Sequence, residues 1–366
     1  MKTIKLFAIT AAALVLGLSS CMKDVNTPSV DIYKVTLRLQ SAATRAELPI
    51  AVPGTTVLIS NGYICFVSAN DAITDVYTIS TNPTSGKNIR NTDLGAAPVT
   101  LENVPGTSAR VYMITNTGSH AALTAPAVGG SMTAYLTNNM DVRDQGIYTT
   151  VTSTGSANLT AGSDPDARNA AISLSTNVAR IQVKGITFDG DVTGKVAGIF
   201  INGYYPTMAL NGTGNSLRMS GISGDYDEVN GSAVFPASLL TFVYDNVDKS
   251  FDTGTATVVG PALAGGVWAY HLFKSSTPQI IIKLTDVVVG GQALTTDQFI
   301  TINGFKNSAT SAVINALEGG MIYTINTESL VIKYENMTPE PGITPINVDV
   351  TVVPVTWQET QVTPNI

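Results

Sequence analysis

Two stretches in which apolar and polar residues strictly alternate, one near each end of the chain, constrain the fold more than any other feature. The apolar positions of the first stretch are Tyr33, Val35, Leu37 and Leu39. Those of the second are Ile346, Val348, Val350 and Val352. A period of two is typical of a β-strand with one buried face. The sequence therefore predicts two strands of matching pattern, and we expect them to compete for one apolar groove.

The rest of the chain indicates an all-β protein. Its 32 Gly and 17 Pro separate short runs rich in Val, Ile, Thr and Tyr, which are typical of strands and turns. One such strand ends at Asn116, a residue type that tolerates turn conformations. A length of 366 residues is suited to two β-domains and an export segment.

Composition shifts predict the domain boundaries. We expect a first domain over residues 46–166, a second over 167–340 and a terminal strand segment over 341–366, with residues 161–166 as the linker. Residues 207–232 are rich in Gly, Asn, Ser and Asp, and this composition predicts a long surface loop.

Residues 1–21 have the parts of a secretory signal. Lys2 and Lys5 precede an apolar segment at 6–18, which is too short to span a bilayer. The segment ends in Leu18-Ser19-Ser20-Cys21, which resembles a bacterial lipobox and predicts lipid attachment at Cys21. The alternative is an ordinary signal peptide whose Cys is incidental. Residues 22–45 then form a propeptide that contains the first alternating strand.

Arg45 is the predicted cleavage site. It lies in a run of small residues just beyond the first strand, where a protease has access, and cleavage would leave Ala46 at the new N-terminus. Arg38 is a competing site, but it lies inside the alternating strand, which a protease would first have to unfold.

The C-terminal strand changes phase after Val352. The next apolar positions are Val353, Val355 and Trp357, and Pro354 among them cannot donate to a ladder. We interpret residues 346–352 and 353–357 as two donor segments that pair with another subunit. The alternative is that the last strand pairs within its own domain.

Charge and motif content exclude several classes of protein. The formal net charge is −7 with no basic stripe, which argues against a nucleic-acid partner. His120 and His271 lie in different predicted domains, and no catalytic motif is present. We expect no enzyme, no catalytic residues, no cofactor and no metal. Asp164, Asp166 and Asp286 could bind Ca²⁺, but isolated acids in loops are usually only solvated. Cys65, in an apolar run, is predicted to be a core residue.

The chain resembles the fimbrillins, the FimA-type subunits of type V pili. The resemblance is distributed along nearly the whole chain. It is carried by the lipobox at Cys21, the strand before Arg45, the segments 111–116, 178–183 and 320–325, a Pro-rich spacer at 339–342, and the Val-rich ending that reaches Trp357.

The resemblance implies two transthyretin-like β-sandwich domains in tandem. It also implies export as an outer-membrane lipoprotein, cleavage by an Arg-specific secreted protease and donor-strand exchange into a surface fimbria that supports adhesion. The implied partners are other copies of the chain, tip and anchor pilins, the protease, and lipid at Cys21.

Two alternatives to a stalk subunit stay open. In the first, the chain is a tip or anchor subunit of the same pilus. In the second, it is a lipid-anchored surface protein that binds glycan or protein and keeps its leader strand. A cleavable Arg together with a terminal strand favours a stalk subunit.

Overall fold

The computed structural model describes residues 32–40, 56–84, 86–94, 98–117, 123–145, 151–255, 258–262, 266–275, 278–354 and 356–357. These residues form mainly β-strands, which confirms the all-β prediction. The α-helices among them are the single turn α1 (Met132–Tyr135) and α2 (Ala237–Val243). Ser131 caps α1 by accepting a hydrogen bond from the backbone N–H of Ala134.

The first part of the chain forms two facing sheets. One has the strand order β10-β11-β1-β6, and the other has the order β12-β9-β7-β3-β4-β5. The strands of this part are β1 (Ile32–Gln40), β2 (Thr56–Val57), β3 (Gly62–Ser68), β4 (Ile73–Ser80), β5 (Asn88–Arg90), β6 (Val99–Pro105), β7 (Ser108–Thr115), β8 (Asn139–Asp141), β9 (Ser153–Asn158), β10 (Thr160–Ala161), β11 (Ala167–Ser173) and β12 (Ser175–Thr176).

A hydrophobic core fills the space between these two sheets. It forms because alternate residues of each strand point to the same face of the sheet. Its central members, all less than one-tenth exposed, are Val35, Leu37, Ile64, Phe66, Tyr77, Ile79, Leu101, Val104, Val111, Met113, Ala170 and Ile172. We call this set the first core.

The second part of the chain is organised around a larger sheet. Its main path has the order β18-β15-β21-β23-β27-β25-β13-β20, and a smaller sheet has the order β19-β14-β26. Helix α2 packs against both end strands of the main path, so this sheet curls around its own core. The strands are β13 (Val178–Val183), β14 (Ile186–Asp189), β15 (Val192–Asn202), β16 (Thr207–Ala209), β17 (Gly214–Asn215), β18 (Tyr244–Asp252), β19 (Val258–Val259), β20 (Trp268–Phe273), β21 (Gln279–Val289), β22 (Gln292–Ala293), β23 (Gln298–Asn307), β24 (Val313–Ile314), β25 (Met321–Ile325), β26 (Val331–Lys333), β27 (Ile346–Pro354) and β28 (Thr356–Trp357).

Strand β3, in the middle of the six-stranded sheet, has buried side chains on both faces of that sheet. Ile64 and Phe66 of β3 belong to the first core, whereas Cys65 and Val67 belong to the same cluster as the large second sheet. Cys65 is fully buried, which confirms its predicted core position, and burial raises the pKa of its thiol to about 12. The two parts of the chain therefore share a continuous apolar contact.

Two local predictions need correction. Residues 161–166 are not a linker: residue 161 ends β10, and residues 162–166 form the turn of a hairpin between β10 and β11, closed by a 2.9 Å hydrogen bond from the Gly162 N–H to the Ala167 carbonyl. Apart from β2 and β8, which pair with β28 and β16, the strands as far as β12 belong to the first two sheets. The domain boundary at 166 stays a prediction. In the structure, the chain passes from the six-stranded sheet to the large sheet between β12 and β13, near residue 177.

Residues 207–232 are mostly irregular, but they are not only a surface loop. Met208 and Tyr226 are buried, and the Tyr226 hydroxyl donates to the Ser220 carbonyl at 2.9 Å. These anchors were hidden in the sequence because isolated apolar residues in a Gly-rich run have no period. The prediction for Asn116 is confirmed: its φ is +58°, and its side chain accepts from the Ser60 N–H at 2.9 Å.

Within the described ranges, no helix combines the length and the apolar character that crossing a membrane requires.

Gly62 tests the packing at the start of β3. Its φ is +143°, and a Cβ added there would lie 2.1 Å from the Ile114 carbonyl oxygen, so Gly62→Ala must displace backbone. We expect this substitution to lower the free energy of unfolding by about 2–4 kcal/mol in urea denaturation followed by circular dichroism. Gly224→Ala is the matched control, since nothing lies within 4 Å of its added Cβ. Equal stability of the two variants would contradict the described packing.

Candidate functional site

The first alternating strand, β1, lies in the middle of a sheet. It pairs in parallel with β11 from Lys34 opposite Ala167 to Gln40 opposite Ser173. On its other edge it pairs antiparallel with β6. Because β1 separates β11 from β6, its removal would leave a slot about two strand spacings wide, or about 9.5 Å. We call this space the β1 slot.

The inward side of β1 fills the first core. Val35 is fully buried and Leu37 is 3% exposed, while Tyr33 and Leu39 are half-buried at the two ends. The guanidinium of Arg168, on β11, lies 3.9 Å from the centroid of the Tyr33 ring, a distance typical of a cation–π contact. All four predicted leader-strand residues thus occupy the predicted face.

The outward side of β1 is polar. The Lys34 ammonium lies 3.3 Å from a carboxylate oxygen of Glu102 on β6, with both side chains more than half exposed. Water and salt screen such pairs, so this one contributes little to stability. The backbone N–H of Lys34 donates to the Asp166 carbonyl at 2.9 Å, which fixes the start of the strand against the β10–β11 turn.

The second alternating strand, β27, also lies in the middle of a sheet. It is parallel to β23 and antiparallel to β25, and both partners belong to the same chain. Val348 and Val350 are buried, and Ile346 and Val352 are half-buried against the same core. Val353 is also half-buried.

β1 and β27 therefore have the same kinds of neighbouring strand and similar burial, although they lie in different sheets. Each has one parallel and one antiparallel neighbour, and each buries its two central apolar residues fully and its two outer ones in part. In the single chain each strand has its own slot. Whether β27 or the segment after it also pairs with another subunit stays a prediction.

The loop before β27 is held by specific hydrogen bonds. The carboxylate of Glu340 accepts from the Ser223 N–H at 2.6 Å and from the Ser223 hydroxyl at 2.8 Å. The Gly342 N–H donates to the Thr301 hydroxyl at 2.7 Å. These bonds hold the predicted spacer against the body of the second sheet.

The described residues after Pro354 form only a short ladder. β28 pairs in parallel with β2, and each of these strands has two residues. Trp357 lies in β28, and Val355 lies outside the described residues, so the second predicted donor segment is described only in part. Its pairing joins the C-terminal region to the first part of the chain.

Several predicted site residues lie outside the described residues, namely Cys21, Arg45, Ala46 and His120. His271 lies in β20, opposite Arg180. Among the residues that the structure describes, no group of three or more His, Cys, Asp or Glu side chains could hold a metal ion.

Sequence reasoning missed the walls of the β1 slot. Ala170 and Ile172 on β11 alternate visibly, but we expected them in the second domain. Arg168 had no signal at all, because its contact with Tyr33 depends on the parallel pairing of β11 with β1, which is distant in the sequence. Tyr77 was also missed: from β4 in the facing sheet its hydroxyl donates to the Glu102 carbonyl at 2.6 Å.

Solved structures with a similar fold were found, whereas no family model and no curated protein matches the sequence. A candidate cell adhesion protein from Bacteroides eggerthii matches with a TM-score of 0.51 and 15% identity, over 89% of this chain and 96% of the other. A second one, from Parabacteroides distasonis, has a TM-score of 0.52 and 12% identity, over 90% and 98%. The tip fimbrial protein Mfa3 from Porphyromonas gingivalis, truncated at its C-terminus, matches at 0.41 and 8% identity, over 80% and 94%. The first two show a shared fold.

Substitution of Leu37 tests how much β1 contributes to the stability of the uncut chain. Removing its buried side chain leaves a cavity in the first core, so Leu37→Ala should lower the free energy of unfolding by about 2–5 kcal/mol. Arg38→Ala, at the exposed neighbouring position, should change it by less than about 0.5 kcal/mol. Urea denaturation of both variants measures the difference, and similar losses would contradict the described burial of β1.

Proposed function

We propose that this chain is a structural subunit of a surface fimbria. It is exported as a lipoprotein anchored at Cys21, cut after Arg45, and joined to the next subunit when a C-terminal segment enters the emptied β1 slot. Its partners are further copies of itself together with tip and anchor pilins. The role is structural and not enzymatic.

The central position of β1 carries this proposal. A strand that ends a few residues before a predicted cleavage site lies between two neighbours, and it contributes the middle of the first core. Cutting after Arg45 leaves β1 bound only by noncovalent contacts. Once it dissociates, a strand that enters the slot can both pair with the freed N–H and C=O groups of β11 and cover the apolar floor, which water cannot do.

The energies involved suit a durable fibre. Burial of the four apolar side chains of one strand contributes at most roughly 6–12 kcal/mol, at about 1.5–3 kcal/mol each. Ladder hydrogen bonds add about 0.5–1.5 kcal/mol each, and ordering the incoming strand offsets part of the sum. While β1 belongs to the same chain its effective concentration is high, so it holds the slot until the chain is cut.

The geometry of the C-terminal region separates the two predicted donor segments. Moving residues 346–352 would break the ladders with both β23 and β25 and would open the second sheet. Moving the chain from 353 onwards breaks the end of one ladder and the two-residue pairing with β2. We therefore propose that the second segment, with Val353, Val355 and Trp357, transfers to the neighbour while residues 346–352 anchor it.

The fold comparison supports the class of function. Two structures that share the fold along most of their length are candidate cell adhesion proteins. A surface role also agrees with the resemblance of the sequence to fimbrillins, with the lipobox at Cys21 and with the predicted cleavage site at Arg45.

One alternative has an observation in its favour. Both β1 and β27 have a neighbouring strand on each edge within the single chain, so neither requires a strand from another subunit before cleavage. A lipid-anchored surface protein that keeps β1 and binds glycan or protein is consistent with this.

The state of the N-terminus separates the two functions. In cells that make fimbriae, surface protein from the native chain should begin at Ala46 and run as a detergent-resistant ladder. Arg45→Ala should abolish the new N-terminus and the ladder, whereas Arg38→Ala should leave both unchanged. N-terminal sequencing and gel electrophoresis measure these outcomes. Surface protein that begins at a lipid-modified Cys21 in the native strain would favour the alternative.

Truncation after Pro354 tests the donor segment with little disturbance of the fold, since β27 keeps both neighbours. We expect the truncated chain to be exported, cut and folded, and to remain monomeric in size-exclusion chromatography, with fibres absent in electron micrographs. A chain truncated after Gln361 is the control for shortening as such, and it should still polymerise. Normal fibres from the chain truncated after Pro354 would refute the assignment of the second segment.

A further inference from the structure

Strand β6 depends on β1 for its place in the sheet. It is the last strand in the order β10-β11-β1-β6, and within the described residues its paired strand is β1. If β1 leaves, as the proposed function requires, β6 loses its ladder hydrogen bonds. It would then be a strand without a paired neighbour at the moment when a new strand must be received.

Two kinds of contact still hold β6 to the body of the protein when β1 is gone. The first is apolar: Leu101 and Val104 are buried in the first core. The second is a hydrogen bond, 2.6 Å long, from the Tyr77 hydroxyl to the backbone carbonyl of Glu102. Tyr77 lies on β4, in the facing sheet, so this bond crosses the sandwich and is independent of β1.

A bulge in β6 places this carbonyl within reach. The register between β1 and β6 shifts between Tyr33 and Val35, so that Glu102 and Asn103 have no paired residue in β1. Asn103 has a φ of +59° at this point. The carbonyl that accepts the hydrogen bond from the Tyr77 hydroxyl, that of Glu102, therefore lies at this bulge in the middle of β6.

The Tyr77 side chain is itself held in position. Its ring is 6% exposed and makes an edge contact with Phe66, with centroids 5.9 Å apart. The Lys87 ammonium lies 5.4 Å from the ring centroid and is paired with the carboxylate of Asp75. Burial, with smaller contributions from Asp75 and Glu102, raises the pKa of the hydroxyl to about 12, so it keeps the proton that it donates.

We propose that Tyr77 is a positioning residue for strand exchange: its hydroxyl holds β6 at the edge of the β1 slot while the slot is empty. An incoming strand then meets two fixed edges, β11 and β6, instead of one. This inference rests on the proposed function, because it concerns the interval between loss of β1 and entry of a donor strand.

The test uses residues 22–366 with a site-specific protease sequence inserted after Arg45. Hydrogen exchange of residues 99–105 is measured before cutting and again after the cut N-terminal peptide that contains β1 has been separated from the chain. Capture of a fluorescent peptide of residues 346–366 by the separated chain is followed by anisotropy. Tyr77→Phe removes only the hydroxyl. Tyr135→Phe is the matched control, because the Tyr135 hydroxyl also donates to a backbone carbonyl, that of Thr124 at 2.9 Å, away from the slot.

Before cutting, β1 holds β6, so both variants should exchange within about a factor of two of the unsubstituted chain. After cutting, Tyr77→Phe should speed exchange of residues 99–105 and slow peptide capture, each roughly two- to tenfold, as expected for the loss of one hydrogen bond. Tyr135→Phe should match the unsubstituted chain in both measurements.

Two results would overturn the inference. In one, Tyr77→Phe leaves exchange and capture unchanged after cutting; in the other, it speeds exchange equally before and after, which is the mark of an ordinary structural bond. If the unsubstituted cut chain fails to capture the peptide, the proposed function fails. The exchange measurement on Tyr77→Phe then still decides whether the hydroxyl holds β6.

Discussion

The backbone of a strand in the middle of a sheet has hydrogen-bonding groups on both edges, and this requirement underlies the whole arrangement of the chain. β1 satisfies β11 on one edge and β6 on the other, while its inward side chains fill the first core. A central strand therefore contributes ladder hydrogen bonds on two edges as well as apolar burial, and replacing it requires another strand that supplies both.

The second constraint comes from the side chains of β3, which are buried on both faces of the six-stranded sheet. Phe66 and Cys65 are neighbours in β3, yet Phe66 faces the first core and Cys65 faces the core of the larger sheet. The packing of the six-stranded sheet therefore depends on both parts of the chain.

Much of the candidate site could be predicted from the sequence. The inward positions of both terminal strands follow from their period, because side chains alternate between faces whatever the strand pairs with. The sequence did not predict that residues 167–173 pair with β1, since the hydrogen-bonding groups of the backbone are alike in every strand and do not identify a partner. The parallel pairing carries Arg168 to Tyr33, and the facing sheet carries Tyr77 to Glu102.

The sequence by itself determined the all-β class, the strands and buried faces of β1 and β27, the core position of Cys65 and the turn-type backbone conformation of Asn116, because each depends on a few neighbouring residues. The tertiary structure alone decided that β1 is central, that β6 pairs with it, that residues 162–166 are a hairpin turn, and that the Gly-rich run at 207–232 is anchored by Met208 and Tyr226. These features depend on contacts between residues far apart in the chain, for which local periodicity carries no information.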